Sequence, residues 1–169
     1  IDSVLERFNQ SLNNYDSTSF ISRLNANITD SLTDSLFIAM FNEAKRIHSL
    51  SDGAFDITVA PLANAWGFGF EQGQLPDSAQ VDSLMQFTGM DKLQIKNNRL
   101  IKAHPNVQLI GNAIAQGMSV DYIAKYLGHL GIENYLVEIG GEVYANGHNN
   151  RGETWKVGID KPLFDSLAI

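Results

Sequence analysis

Residues 92–103 have the sequence Lys92-Leu93-Gln94-Ile95-Lys96-Asn97-Asn98-Arg99-Leu100-Ile101-Lys102-Ala103. Polar and apolar residues alternate on both sides of Asn97-Asn98, and two turn-forming residues between two such runs are typical of a β-hairpin. Strands at 92–96 and 99–103 are therefore expected to pair antiparallel.

The segments after this hairpin combine strands with one long helix. A further strand-like run covers 107–110, and a helix is predicted from about 112 to 130, with Gly131 as its left-handed cap. Three more strand-like runs follow at Tyr135–Ile139, 142–145 and 155–159.

Helical spacing of apolar residues predicts three helices before the hairpin. The first carries Val4, Leu5, Phe8 and Leu12; the second covers about 31–49 with Asp30 or Ser31 as its cap; the third covers 76–87. Helices and strands do not alternate as βαβ units, which favours an α+β fold: a mainly antiparallel sheet with helices packed on one side. No repeat or linker interrupts the chain, so 1–169 is predicted to be a single domain, with both ends cut from a longer protein.

The composition limits the possible chemistry. Hydrophobic residues make up 44%, and 12 basic against 19 acidic residues give a net charge of −7, which argues against nucleic acid as a partner. A small anionic ligand remains possible, because backbone N–H groups and one metal ion can hold a diphosphate. Without cysteine, thiol catalysis and cysteine-ligated metals are excluded. The four histidines are scattered, so any metal is expected to be a hard cation with oxygen ligands.

The sequence Ser51-Asp52-Gly53-Ala54-Phe55-Asp56-Ile57-Thr58-Val59-Ala60-Pro61-Leu62 is the first candidate for ligand binding. Gly53 permits a sharp turn, and Ala54 is small enough for a ligand to approach the main chain. Phe55 offers a ring face, and the Asp56 carboxylate can accept from a ribose hydroxyl or an amino group. A segment of this composition more commonly forms a helix end, a loop and a buried strand without a ligand.

Small residues also mark the strand-to-helix junction at 111–117, where backbone N–H groups at a helix N-terminus can approach a phosphate. The segment has neither G-x-G-x-x-G nor a P-loop G-K-[ST], and tight packing of a helix on a sheet is the commoner explanation of such a junction. We expect 51–56 and 111–117 to meet around one pocket. No G-x-S-x-G motif and no Ser–His–Asp set is evident.

In order and spacing, these segments resemble the ApbE family. Residues 51–69 are similar to its S/T-D-G-A-F-D-x-T-V-x-P-L…W-G-F-G signature. Residues 21–25 resemble the end of S-x-I-S-R-L/F-N, and residues 112–121 resemble G/N-A-I-A-K/Q-G-x-x-V-D. Residues 135–159 resemble Y-L-V-x-I-G-G-E-V-x-x-x-G…W-x-V-G-I. The resemblance covers nearly the whole chain and corresponds to the N-terminal and central part of the family domain.

The resemblance implies an FAD:protein FMN transferase. Such an enzyme binds FAD with Mg²⁺, moves the FMN half onto a threonine hydroxyl of a partner protein and releases AMP. Family proteins are usually exported and often lipid-anchored, with membrane-bound redox subunits as partners, so a place on the periplasmic side of the cell envelope is expected. Two alternatives stay open: a metal-dependent FAD pyrophosphatase giving FMN and AMP, and a non-catalytic flavin-binding remnant.

The resemblance also assigns residues. Tyr15 corresponds to an aromatic residue that contacts the flavin, and Ala54, Phe55 and Asp56 correspond to residues that contact FAD. Gln116 corresponds to a polar residue near FAD. Ala113 corresponds to a residue that supplies one magnesium oxygen, which for alanine is the backbone carbonyl.

The chain departs from the family at the proposed binding site. The family usually has Asp at the position of Ile110, and Ile cannot accept a hydrogen bond. The later H-x-x-D-P-x-T-G segment and the residues that complete the magnesium site are not in this sequence. We therefore expect at most one magnesium ligand, and weak FAD binding, from these residues alone.

Overall fold

The computed structural model describes residues 1–68 and 75–159, which form helices and two β-hairpins. The α-helices are α1 Asp2–Leu12, α2 Phe20–Asn25, α3 Ser35–Leu50, α4 Ala60–Ala63, α5 Ser78–Met85 and α6 Asn112–His129. Short 3-10 helices cover Ile57–Val59 and Met90–Lys92, and a π-helical turn covers Asn64–Phe68. The strands are β1 Leu93–Lys96, β2 Arg99–Lys102, β3 Tyr135–Ile139 and β4 Glu142–Asn146.

Both hairpins are antiparallel, and the first of them is the hairpin that the sequence predicts. In the first, Leu93 pairs with Lys102, and the turn residues Asn97 and Asn98 have φ values of 51° and 58°. Asparagine tolerates this left-handed region better than most residues, so the local sequence sets the register of β1 and β2. In the second hairpin, Tyr135 pairs with Asn146. Within the described residues the hairpins are separate two-stranded sheets. The α+β class is confirmed.

Two of the predicted strands were wrong. Among the described residues, neither 107–110 nor 155–159 pairs with a strand. Apolar residues at alternate positions produce the strand-like pattern of both runs. A strand also needs a neighbour with free backbone groups. For 107–110 the backbone partners are largely side chains, as described below.

The start of α3 also differs from the prediction, and the short helix α2 was not predicted. Helix α3 is capped by Asp34, whose carboxylate accepts from the backbone N–H of Phe37 at 2.9 Å. The residues proposed as caps instead lie against the first hairpin. The Asp30 backbone carbonyl accepts from Leu100 N–H at 2.8 Å, and Ser31 forms a β-bridge with Arg99. Pairing with β2 therefore keeps Asp30 and Ser31 out of the helix.

The core lies between α1, α2, α3 and the segment that precedes α6. Helix α3 contributes the apolar face that its periodicity predicts, with Phe37 and Met40 fully buried. The Phe37 ring packs edge-on against Phe20, with ring centroids 5.4 Å apart, and is stacked on Phe41. Each large apolar side chain buried in this way contributes about 1.5–3 kcal/mol, so the helices are held mainly through this cluster. The fully buried side chains also include Ile21, Leu24, Leu32, Leu36, Ile57, Val107 and Leu109.

The cap of α3 provides a test of this packing. The Asp34 carboxylate also accepts from the Ser11 hydroxyl at 2.8 Å and so ties α3 to α1. Asp34→Ala is expected to lower the free energy of unfolding by about 1–2 kcal/mol, measured by urea denaturation of the full protein.

Asp77→Ala is the matched control. Asp77 forms a capping box with Gln80 at the start of α5, but α5 buries no side chain. Its loss is expected to be smaller, because the end of α5 can fray without exposing the core. Equal losses in the two variants would contradict the packing role of Asp34.

Candidate functional site

An open cavity of about 600 Å³ lies beside the segment that leads into α6. Its walls come from the turn after α1, from α2 and the residues that follow it, from α4 and from the approach to α6. Both amide side chains and apolar groups line it. The lining residues are Asn14, Tyr15, Ser17, Ser22, Asn25, Ala26, Ile28, Ala60, Asn64, Phe68, Gln108, Ile110 and Asn112.

Two asparagine side chains hold the backbone that forms one wall of this cavity. The Asn25 amide oxygen accepts from Leu109 N–H, and its nitrogen donates to Leu109 C=O, both at 2.8 Å. The Asn14 nitrogen donates to the same carbonyl at 2.8 Å, and its oxygen accepts from Gly111 N–H at 3.0 Å. We call these four hydrogen bonds the amide clamp. They supply the partners that a neighbouring strand would otherwise provide.

The clamped segment presents alternate side chains to opposite sides. Val107 and Leu109 are fully buried in the core, whereas Gln108 and Ile110 line the cavity. This is the period-two pattern of extended backbone. The Ile110 N–H donates to Ile57 C=O at 2.8 Å, so the segment also contacts the loop that carries residues 51–56.

Tyr15, predicted to contact the flavin, lies at the mouth of the cavity and is 55% exposed. Its hydroxyl donates to Phe68 C=O at 3.4 Å and accepts from the Asn112 amide at 3.3 Å. These bonds hold the ring between the turn that contains Phe68 and the first turn of α6.

Gln116 lies one helical turn after Asn112 on α6, beside a smaller cavity of about 400 Å³. Tyr15 and Asn112 line both cavities, so Gln116 adjoins the same region. Its amide nitrogen donates to the carbonyls of Ile139 and Gly140, both at 2.9 Å. Any Cβ at Gly140 would collide with this amide, and Gly140 has a φ of 55°. The Gln116 side chain therefore ties α6 to the turn of the second hairpin.

Ala113, predicted to provide a magnesium ligand, is exposed in the first turn of α6. An alanine there offers only its backbone carbonyl, which in an α-helix already accepts from the N–H four residues later and has one lone pair left. Among the described residues there is no group of three or more His, Asp or Glu side chains that could hold a metal ion.

Ala54, Phe55 and Asp56 do not line either cavity in the described structure. Ala54 is exposed, and Phe55 packs against the core. The hydrogen bond between Ile57 and Ile110 joins the residues next to the two segments 51–56 and 111–117. The meeting of these segments around one pocket stays a prediction. The assignment of these three residues to FAD stays a prediction.

The Asp56 carboxylate is engaged within the protein. Its Oδ1 accepts from the N–H and the hydroxyl of Thr58 at 2.8 and 2.5 Å, and its Oδ2 accepts from Met90 N–H at 3.1 Å. The buried Thr58 hydroxyl in turn accepts from Gly89 N–H at 2.6 Å. His48 lies 3.7 Å from Oδ2 and is bonded through Nδ1 to Phe55 C=O at 2.7 Å. Asp56 therefore joins the end of α3 to the turn before β1.

Sequence reasoning missed Asn14, Asn25 and Gln108. Asn25 lies within the segment that resembles the family's S-x-I-S-R-L/F-N pattern, but the pattern does not indicate which backbone groups it binds. Its partner Leu109 is 84 residues away in sequence. The one available signal was the alternation of apolar residues at 107–110, which was interpreted as a strand.

The sequence profile of the ApbE family matches residues 1–169. The chain belongs to the ApbE family. No helix in the described part of this ApbE-family chain is long and apolar enough to cross a membrane.

Individual members of the ApbE family are similar in sequence and in structure. The FAD:protein FMN transferase of Vibrio cholerae serotype O1 is 36% identical over 173 residues, which cover 100% of this chain and 52% of that protein. The solved structure of flavin transferase ApbE from Vibrio cholerae superposes with a TM-score of 0.88 at 36% identity, over 95% of this chain and 53% of that one. The apo form of Pseudomonas stutzeri flavinyl transferase ApbE gives a TM-score of 0.85 at 33% identity, over 94% and 52%. The chain thus spans about half the length of these relatives.

The contacts of Asp56 lead to a stability prediction. In Asp56→Asn an amide N–H₂ can replace Oδ2, and the Met90 N–H then loses its acceptor. We expect the free energy of unfolding of the full protein to fall by about 1–3 kcal/mol, measured by urea denaturation.

Asp52→Asn is the control in the same loop. Asp52 is exposed and has a φ of 50°, a conformation that asparagine tolerates. This substitution removes the same charge, and we expect little change in stability. If Asp56→Asn were as stable as Asp52→Asn, the Asp56 contacts would not be structural.

Proposed function

We propose that the whole protein is a Mg²⁺-dependent FAD:protein FMN transferase that attaches FMN to a threonine of a partner protein and releases AMP. The observation that carries this proposal is the similarity of the entire chain to proteins of that name, at 36% identity in the Vibrio cholerae relative. The cavity beside α6 is the part of the described structure that suits a flavin substrate.

The cavity has the features that a planar nucleotide needs. Its volume of about 600 Å³ lies within the range typical of small-molecule sites. The aromatic residue Tyr15 lies at its mouth, and the amide side chains of Asn64 and Gln108 offer both donors and acceptors. Helix α6 begins at the same place, and Gly111 provides no side-chain cap. Its first N–H groups can thus face a diphosphate, which supports FAD as the ligand.

The described residues do not by themselves form a magnesium site. Mg²⁺ requires six oxygen ligands in nearly octahedral geometry, usually carboxylates, substrate phosphates and water. The residues near the cavity offer at most the Ala113 carbonyl, and no acidic cluster accompanies it in the described segments. We therefore assign no step to the ion.

The proposed reaction requires no nucleophile from this chain. The threonine oxygen of the partner forms a bond to the FMN phosphorus, and the bond from that phosphorus to the bridging oxygen breaks. AMP leaves with the bridging oxygen, and the hydroxyl proton is released. The contribution of the chain is to hold FAD so that the acceptor approaches in line. Water in place of threonine would give FMN and AMP.

The partner is proposed to be a membrane-bound redox subunit, and the full protein to be lipid-anchored on the periplasmic side of the cell envelope. These proposals follow the usual setting of the family.

The direct test uses the full protein with FAD, Mg²⁺ and a threonine-containing acceptor protein. We expect AMP release together with covalent FMN on the acceptor, detected by mass spectrometry, and loss of both after metal chelation. A Thr→Val acceptor is the control. AMP release without FMN on the acceptor would indicate a pyrophosphatase, and the absence of FAD binding would contradict both enzymatic functions.

The departure at Ile110 leads to a second prediction. Because Ile110 lines the cavity and is only half-buried, Ile110→Asp in the full protein would place a carboxylate against the ligand. A hydrogen bond to a charged acceptor contributes about 1.5–3 kcal/mol, so FAD is expected to bind about tenfold to a hundredfold more tightly, measured by flavin fluorescence.

Ile28→Asp is the matched control, since Ile28 lines the same cavity and is 68% exposed. We expect no gain in affinity from it. A thermal melt on the same samples detects any cost of burying the new charge. Unfolding of Ile110→Asp without tighter binding would mean that position 110 is part of the core.

A further inference from the structure

We propose that Gln108 determines ligand specificity in this cavity by hydrogen bonding to the polar edge of a ring of FAD, and that Asn25 positions it. This inference rests on the proposed function and goes further, because the resemblance assigns no role to either residue. The ligand chemistry is that of a flat heterocycle with donors and acceptors along one edge.

The Gln108 side chain is directed toward the cavity. Its two neighbours, Val107 and Leu109, are fully buried in the core, and Gln108 projects from the opposite side of the extended backbone. The side chain is half-buried against the cavity. The open cavity leaves this amide accessible to solvent, and the polar edge of a ligand that enters the cavity can replace that water with a donor and an acceptor of its own.

The other amide side chains that line the cavity differ from Gln108 in bonding or exposure. Asn14 and Asn25 use their oxygen and nitrogen in the amide clamp, and Asn112 donates to Tyr15. Asn64 makes no side-chain hydrogen bond to a described residue, but it is exposed, whereas Gln108 is half-buried. Gln108 makes no side-chain hydrogen bond to any residue in the described part of the chain. Its C=O and N–H₂ are therefore available to a ligand, as an acceptor and a donor side by side.

Asn25 controls where this amide lies. It binds both the N–H and the C=O of Leu109, the residue directly after Gln108. Lys102 donates to the carbonyls of Leu24 and Asn25 at 3.1 and 3.4 Å and so fixes the end of α2 that carries Asn25. With Leu109 held at both groups, the peptide plane after Gln108 cannot rotate freely. Asn25 acts through this backbone and does not contact the ligand.

The experiment uses the full protein and three probes: FAD, FMN and AMP. Gln108→Met keeps the length of the side chain and removes its amide, and Gln94→Met on the exposed face of β1 is the control. We expect Gln108→Met to weaken FAD binding about threefold to tenfold, and Gln94→Met to leave it unchanged. The same loss with FMN would assign Gln108 to the isoalloxazine ring, and the same loss with AMP would assign it to adenine.

A double-mutant cycle tests the positioning role. Asn25→Asp keeps the acceptor for Leu109 N–H and loses the donor to Leu109 C=O, and Asn25→Ser is the second variant in case the aspartate does not fold. If Asn25 acts through Gln108, the Asn25 substitution weakens FAD binding when residue 108 is Gln. The same substitution then has almost no effect on FAD affinity in the Gln108→Met background. Losses that simply add would overturn the positioning role, because a general effect on stability does not depend on residue 108.

The outcomes separate this inference from the proposed function. If the unaltered protein binds FAD and Gln108→Met binds all three probes equally well, the inference fails and the proposed function stands. If the unaltered protein binds none of the three probes, the proposed function fails, and the inference fails with it.

Discussion

The amide clamp is the interaction on which the rest of the structure depends. Residues 107–110 cross the core as extended backbone without a neighbouring strand in the described part of the chain. Asn14 and Asn25 replace that strand with four hydrogen bonds to Leu109 and Gly111. A buried backbone group without a partner costs about 1–3 kcal/mol. The clamp fixes one edge of this segment, so successive side chains lie on opposite sides of it. Val107 and Leu109 are buried in the core, and Gln108 and Ile110 line the cavity.

The clamp also sets the start of α6 and the position of Tyr15. Asn14 binds Gly111 N–H directly before α6 begins, and Tyr15 is the next residue after Asn14. The Tyr15 hydroxyl then contacts Asn112 in the first turn of α6. One short turn thus holds the Tyr15 ring, the N-terminus of α6 and one wall of the cavity. Rigid support of this kind is what a binding site needs.

The residues of the family signature serve the fold as well as the proposed site. Asp56 stands where the resemblance expects a contact with FAD, yet both of its oxygens accept hydrogen bonds from Thr58 and Met90. A carboxylate has about four lone-pair sites, so these bonds do not exclude a ligand. Because the same bonds stabilise the fold, a substitution of Asp56 can lower activity by lowering the free energy of unfolding.

The sequence alone determined the helices with clear apolar faces, the first hairpin, the strands of the second, the α+β class and membership of the ApbE family. These features depend on periodicity, turn residues and motif order within short segments. It predicted neither α2 nor the Asp34 cap, and it proposed strands at 107–110 and 155–159 that the structure does not contain. Only the tertiary structure decided which polar side chains serve the fold and which face the cavity. The physical reason is distance along the chain: Asn14 and Asn25 bind backbone groups 97 and 84 residues away, and nothing in the local sequence identifies such partners.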